Sequence, residues 1–183
     1  MNTSEPTRDI REMTHDDAPL FVDYFLGGSD EFLAGMGADV NKLPSRDAWI
    51  SAIREQLPLP YREKAYFYFV WLLNGKPVGH SNINHIEFGK TARMHLHMWN
   101  TDHRQSGLGT WMLKRCIPLY FKHFELKELF CEPYAENVPP NKTLPKLGFH
   151  FVKRYHTIPG PINLPQDVNR WIISREEGLV LRA

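Results

Sequence analysis

The chain has 183 residues, and its 22 Lys plus Arg nearly cancel its 21 Asp plus Glu, leaving a formal charge of +1. That length suits one well-buried domain and is short for two, and 42% apolar with 13% aromatic residues excludes a disordered chain. Even charge argues against a nucleic-acid binder with its basic stripe, and no apolar leader or bilayer-length run exists, so a cytoplasmic protein of one domain (residues 1–183, core about 10–174) is expected.

A short first strand is predicted at residues 9–13. Thr14, His15, Asp16 and Asp17 supply helix-capping types, and Leu20, Phe21, Tyr24 and Phe25 then recur at helical spacing until Gly27 and Gly28. Residues 30–36 suit a further turn of helix. Ser45 is a good N-cap for a helix carrying Trp49, Ile53 and Leu57, which Pro58 stops. Aromatic and branched residues make 66–73 a strand, Asn74-Gly75 a hairpin turn and 77–88 the partner strand. Gly89 and Lys90 turn the chain into a strand at 92–100. Residues 110–124 read as a helix, with a kink or break expected near Lys114 and Arg115 because of Pro118. Residues 126–131 suggest a buried strand and 132–140 a loop rich in proline. Residues 141–147 form a short helix closed by Gly148 as its C′ residue. Strands follow at 149–157 and 168–174, around a turn at Pro159, Gly160 and Pro161. Residues 176–183 carry no pattern that assigns them to an element. A meander followed by strand, loop and helix gives a mixed α/β sheet.

Cys116 and Cys131 are the only cysteines, each inside an apolar element, which suits buried free thiols in a reducing compartment. Neither sits beside a His or a helix N-terminus, so nucleophilic thiol chemistry is not expected.

The chemistry concentrates between Trp99 and Thr110. Strand, glycine-bearing loop and helix N-terminus together make a phosphate site, because backbone N–H groups and the positive dipole end face an anion. Gly107 and Gly109 leave the backbone bare where a phosphate approaches, and Arg104 adds a positive charge. A P-loop needs Lys-Ser/Thr after its last glycine, where Thr110-Trp111 stands, and a dinucleotide fingerprint needs a third glycine. On these residues alone, a plain strand-to-helix turn is the other reading.

Arg104-Gln105-Ser106-Gly107-Leu108-Gly109 resembles the pyrophosphate loop, Arg/Gln-x-x-Gly-x-Gly/Ala, of the GNAT acetyltransferases. Downstream, Asn137 and then Leu144-Pro145-Lys146-Leu147-Gly148-Phe149 are similar to that superfamily's Asn-x-x-Ser…Leu-x-Lys-Leu-Gly-Phe segment, in the right order. The likeness spans residues 10–173 and is nearest the branch containing ribosomal-protein alanine N-acetyltransferases. It implies the GNAT fold: an α/β domain with a central, twisted, mostly antiparallel mixed sheet of about six or seven strands flanked by helices. It also implies transfer of an acetyl group from acetyl-CoA, the acyl-donor co-substrate, to a primary amine by direct attack in a ternary complex. In that picture the loop from Arg104 and Gln105 through Ser106, Gly107, Leu108, Gly109 and Thr110 binds the coenzyme A pyrophosphate. The backbone of Met98 and Trp99 pairs with the pantetheine arm like an added strand. Asn137 holds a pantetheine amide. Asn141 and Lys142 lie on the next turn, where Lys142 either meets a phosphate of the adenosine end or is a solvated surface lysine.

Amine acetylation needs a base, dipoles on the thioester oxygen and an acid for the thiolate. Here the chain departs from its relatives, since the tyrosine many use as the acid falls at Leu144 and the serine of the ribosomal-protein branch at Pro140. Neither residue can donate a proton. His95 and His97, two apart on one strand, share a face and have the ordinary pKa of a base at neutral pH. His97 is the first candidate base and His95 the second, with Tyr134 as another proton donor. Structural histidines and a packing tyrosine are the competing readings. A His-x-His pair with His80, His85 or Glu87 can also bind zinc, but no four-ligand spacing is present and no metal is expected. The missing acid leaves a non-catalytic acyl-CoA-binding module as the alternative, and a metal-bearing α/β domain as a third. Acceptor specificity falls to residues 20–57 and 159–166. Asp30, Glu31, Asp39 and Asp47 there either attract a cationic amine or are solvated helix faces. A protein N-terminus, an amino acid, a polyamine and an aminoglycoside are all open acceptors. The expected partners are acetyl-CoA and an amine, without nucleic acid or membrane, and a homodimer is left open.

Overall fold

The computed structural model describes residues 6–100, 102 and 106–182. Its centre is a seven-stranded sheet in the order β1-β2-β3-β4-β5-β7-β6. The strands are β1 (Arg8–Glu12), β2 (Phe67–Leu73), β3 (Lys76–Glu87), β4 (Thr91–Met98), β5 (Glu128–Cys131), β6 (His150–Thr157) and β7 (Gln166–Ser174). All neighbours run antiparallel except β4 and β5. Asn74 and Gly75 both take positive φ, 50° and 73°, as a two-residue hairpin turn requires, and they fix β2 against β3. The β3–β4 pairing runs without interruption from Gly79↔Met98 to Asn84↔Arg93. No bulge therefore reverses the faces of β4 in that stretch, and His95 and His97 do share one.

Both faces of the sheet are covered. α4 (Leu108–His123) buries Met112, Leu113, Cys116, Ile117, Tyr120 and Phe121 on one side, against Phe67, Phe69 and Trp71 of β2. Each fully buried apolar side chain of this kind contributes about 1.5–3 kcal/mol. α1 (Ala18–Leu26) and α3 (Arg46–Gln56) close the other side with Phe21, Val22, Phe25, Ile50 and Ile53, against Tyr68 and Val70. β2 is thus apolar in an unbroken run because both its faces are buried. α2 (Asp30–Gly35), capped by the Ser29 hydroxyl, leads into a clasp with the β6–β7 loop. In it Asp39 N–H donates to the Ile162 carbonyl, Leu164 N–H and Asn163 Nδ2 donate to the Gly37 carbonyl, and Lys42 Nζ reaches the Asn163 carbonyl.

Three expectations need correction. The helix α4 has no break at Pro118, since the proline leaves Lys114's carbonyl without its partner on a half-exposed flank that water can serve. Pro139 and Pro140 are not loop residues: they stand in the first turn of α5 (Val138–Thr143), where missing N–H groups cost nothing. The predicted helix at 141–147 is therefore the end of α5 plus a separate 3₁₀ turn, Pro145–Leu147, which Gly148 closes at φ 82°. The unassigned tail begins with α6 (Arg175–Leu179), held by a capping box between Ser174 and Glu177. Gly178 lets α6 lie on α4, because a Cβ there would sit 2.1 Å from the Phe121 ring. Ser45 occupies the N-cap position of α3 as expected, without a side-chain cap bond.

Candidate active site

The strands β4 and β5 part company almost at once. They pair only over Thr91–Arg93 and Glu128–Phe130, after which no strand covers that edge of β4 among the described residues. Cys131 sits in the fork, its thiol donating to the Met94 carbonyl at 3.2 Å. The edge from His95 to Met98 thus offers main-chain N–H and C=O groups that a bound chain can pair with, as an added strand does.

α4 starts at the open end of this fork. Gly107 precedes it at φ 77° and ψ −5°, a left-handed conformation that costs glycine nothing. Among the described residues nothing lies within 4 Å of where its Cβ would be, while a Cβ on Gly109 would meet Met98 Cε and Trp71 Cζ3 at 3.9 Å. Gly109 is thus turned toward Met98 and Trp71, at the first turn whose N–H groups have no partner inside the helix. Leu108 anchors the turn, being 5% exposed in the core. Arg104 and Gln105 lie outside the described residues.

Below the strand, Gly79 of β3 explains how the site is floored. A Cβ there would stand 2.6 Å from the His97 carbonyl oxygen and 2.8 Å from the Trp71 ring. Any larger residue would lift β4 from its neighbour.

The histidines differ sharply. His95 donates from Nε2 to Asn84 Oδ1 (3.2 Å), which also accepts from Arg93 Nε (3.1 Å). Burial, then the charge of Arg93, holds the His95 pKa well below the usual range. A half-buried, neutral, hydrogen-bonded ring beside a guanidinium suits a structural role, one of the readings open from sequence. His97 stacks on His80 at 4.9 Å and 16°, with Phe25 edge-on at 5.1 Å, and its Nδ1 lies 3.4 Å from Tyr24 Oη. His80 is fully buried and accepts at Nδ1 from Trp99 Nε1 (2.7 Å), which puts its proton on Nε2. Burial, then nearby His97, keeps it neutral. Among the described residues no group of three or more His, Cys, Asp and Glu is arranged to hold a metal.

The downstream residues divide into two kinds. Tyr134 is half-buried and bridges to Val168 of β7. With Gly37, Gln166, Glu136 and Asp167 it lines a pocket of about 250 Å³ beside the clasp. Asn137 stands at the N-cap of α5, and Lys142 is exposed on its last turn. Asn141, by contrast, is used up by the fold. Its Nδ2 faces the carbonyls of Tyr134, Ala135 and Asn137, and its Oδ1 accepts from Asn169 Nδ2 and Trp171 Nε1. Its side-chain amide is thus engaged within the fold. Leu144 has 0% exposure, a core residue at the position where the resemblance places an acid.

The sequence model for the Acetyltransferase (GNAT) family matches residues 39–149, well over half of the chain. The chain belongs to the GNAT family. It is an acyltransferase whose co-substrate is acetyl-CoA, and no curated protein sequence matches it. Solved structures with this fold include a ribosomal L7/L12 alpha-N-protein acetyltransferase in complex with coenzyme A. It is 13% identical, with a TM-score of 0.77 over 93% of this chain and 96% of that one. Another is the spermidine N-acetyltransferase of Vibrio cholerae in complex with coenzyme A and spermine, 16% identical, TM-score 0.75, covering 94% and 98%. A third is the ribosomal-protein-S5-alanine acetyltransferase of Vibrio fischeri, 15% identical, TM-score 0.75, covering 98% and 100%. At these identities the likeness concerns the fold alone. In this GNAT chain no helix among the described residues is long and apolar enough to cross a membrane.

Sequence reasoning missed Tyr24, Asn84 and the stacking role of His80. The hairpin turns that set His80 opposite His97 were legible, so their pairing was within reach. The contact from α1 was not.

Proposed function

We propose that this protein, as a single domain, transfers the acetyl group of acetyl-CoA directly to a primary amine, with His97 as the base. The observation that carries it is the fork: a bare strand edge, a glycine-led helix N-terminus at its mouth and an imidazole on the same strand. Pantetheine pairs along Met98 and Trp99, and the amides from Ser106 to Thr110 meet the pyrophosphate. Asn137 and Lys142 stand on the α5 side of the same fork and contribute to holding the coenzyme. Tyr134, in the pocket beside the clasp, is placed to meet the acceptor. With Leu144 in the core and Pro140 in a helix, water or Tyr134 protonates the leaving thiolate.

The acceptor is an amine on a polyamine, at a protein N-terminus or on an aminoglycoside, the kinds of substrate that structural neighbours are named for. The test measures free thiol released from acetyl-CoA with spermidine, spermine and alanine-started peptides, alongside calorimetry with acetyl-CoA alone. Thiol release that saturates with one amine class is the expected result. Binding without release from any amine would refute the transfer step, and no binding would refute the coenzyme site.

A further inference from the structure

The loop between β6 and β7, residues 158–165, is fastened largely through its carbonyls, because Pro159, Pro161 and Pro165 have no N–H to give. At its far end donors come from the α2 side, with Asp39 N–H on the Ile162 carbonyl and Lys42 Nζ on that of Asn163. At its near end the donor comes from the sheet. Arg93 of β4 donates from Nη1 to the Pro159 carbonyl at 2.5 Å. The rest of the guanidinium is tied down for this bond. Asn84, directly opposite on β3, accepts from Nε at 3.1 Å, and Glu132 Oε2 stands 3.7 Å from Nη1. Glu132 is itself held by Arg170 Nη1 at 2.6 Å and by the Tyr155 hydroxyl.

The Arg93 and Glu132 side chains are 6% and 7% exposed. Burying charge is costly unless it is paired and hydrogen-bonded, and an apolar residue would avoid that cost. What an apolar residue lacks is a rigid fork of donors that reaches the sheet and the loop at once. Arg93, His95 and His97 lie on one face of β4, since the pairing from Gly79 to Asn84 is regular. Phe25 of α1 meets that face at His97, and the loop meets it at Arg93. Four residues of strand, about 13 Å, separate the two contacts.

We propose that Arg93 is a specificity-determining positioning residue for the amine: it struts the β6–β7 loop over the face of β4 that carries His97, and so sets the passage by which the acceptor reaches the base. The proposal rests on the acetyl-transfer reading. Its action is indirect, through Pro159 and the clasp beyond it. With the strut in place the loop is fixed at both ends. Without it the near end is released, and the amine loses a wall while the coenzyme keeps its strand edge and helix N-terminus.

Amide hydrogen exchange followed by NMR in the full chain tests the strut without any acceptor. The reporters are Asp39, Asn163 and Leu164, whose N–H groups bond to Ile162, Gly160 and Gly37. In Arg93→Met their exchange should speed up about 10-fold, while β2 and α4 keep wild-type rates. Glu132 still has Arg170 in that variant, so no buried charge is orphaned. Arg93→Lys is the second variant, in case methionine does not fold. It keeps a cation beside Glu132, but a single nitrogen cannot serve Asn84 and Pro159 together, and exchange should speed up about 3-fold. With any amine that the wild type acetylates, Arg93→Met should raise the amine KM about 10-fold, with kcat within about 3-fold of wild type and acetyl-CoA affinity unchanged. Wild-type exchange at the three amides in both variants, or an unchanged amine KM, would overturn the proposal. Equal acceleration in β2 and α4 would overturn it too, as general destabilisation. A wild type that binds no acetyl-CoA, or acetylates no amine, overturns the transfer reading instead and takes the role in acceptor choice with it.

Discussion

Gly109→Val separates the coenzyme site from the stability of the fold. In the unliganded protein the new Cβ meets Met98 and Trp71 at 3.9 Å, an ordinary contact. Valine in a helix is a few tenths of a kcal/mol better than glycine, so the melting temperature should stay within about 2 °C of wild type. Acetyl-CoA at about 100 times its Kd should stabilise the wild type by about 2.7 kcal/mol, roughly 5–11 °C for a chain of this size. On the proposed coenzyme site that gain should vanish in Gly109→Val, because the isopropyl group adds bulk beside the first-turn amides that would meet the pyrophosphate. A 100-fold loss of affinity corresponds to about 2.8 kcal/mol. Gly107→Ala is the control with the opposite signature. Its φ of 77° costs an alanine about 1–2 kcal/mol, less about 0.4–1 kcal/mol from a stiffer unfolded chain, a fall of a few degrees. Scanning calorimetry with and without acetyl-CoA reads both. If Gly109→Val keeps the full ligand-induced shift, the loop is a plain turn and the reasoning fails.

Gly79→Ala should cost about 1–3 kcal/mol by overpacking and weaken acetyl-CoA binding, because its Cβ would push on the His97 carbonyl; urea midpoints and calorimetry check this. Asn141→Ala should lower the unfolding free energy by about 2–4 kcal/mol in urea titrations, since five hydrogen bonds converge on that amide. Neither thiol should react with a disulfide reagent at pH 8 until denaturant is added: burial pushes Cys116 up to about 12 and Cys131 upward as well. His80 and His95 have folded pKa values depressed by burial, so the unfolded chain binds the extra protons. Stability should be full above about pH 6.5 and fall below it by about 1.4 kcal/mol per pH unit for each ring. His95→Gln should make that acid slope shallower, and an unchanged slope would show that His95 is not held neutral.

Much of this arrangement was legible in the sequence because the signals were local. Asn74-Gly75 specified its own turn, and apolar periodicity marked the face that α4 buries. Gly107 and Gly109 pointed to the helix start. What the sequence did not show also has physical causes: Pro139 and Pro140 read as loop residues although a first helical turn accepts them, and the partners that engage Asn141, Asn169 and Trp171, lie on a distant strand. Tyr24 was hidden for the same reason. Helical spacing explained it as a core residue of α1, and only the packing of α1 on β4 reveals its oxygen beside His97.

The clasp between α2 and the β6–β7 loop has a consequence for how freely this part of the sequence can vary. Two of its bonds, Asp39 to Ile162 and Leu164 to Gly37, run between main-chain atoms, so they are indifferent to the side chains carried there. Substitutions at positions such as Val40 or Leu164 can therefore accumulate without loosening the arch. Gly37 is the exception. At φ 77°, with the Gln166 side chain 1.8 Å from where a Cβ would stand, it is the keystone on which that freedom depends.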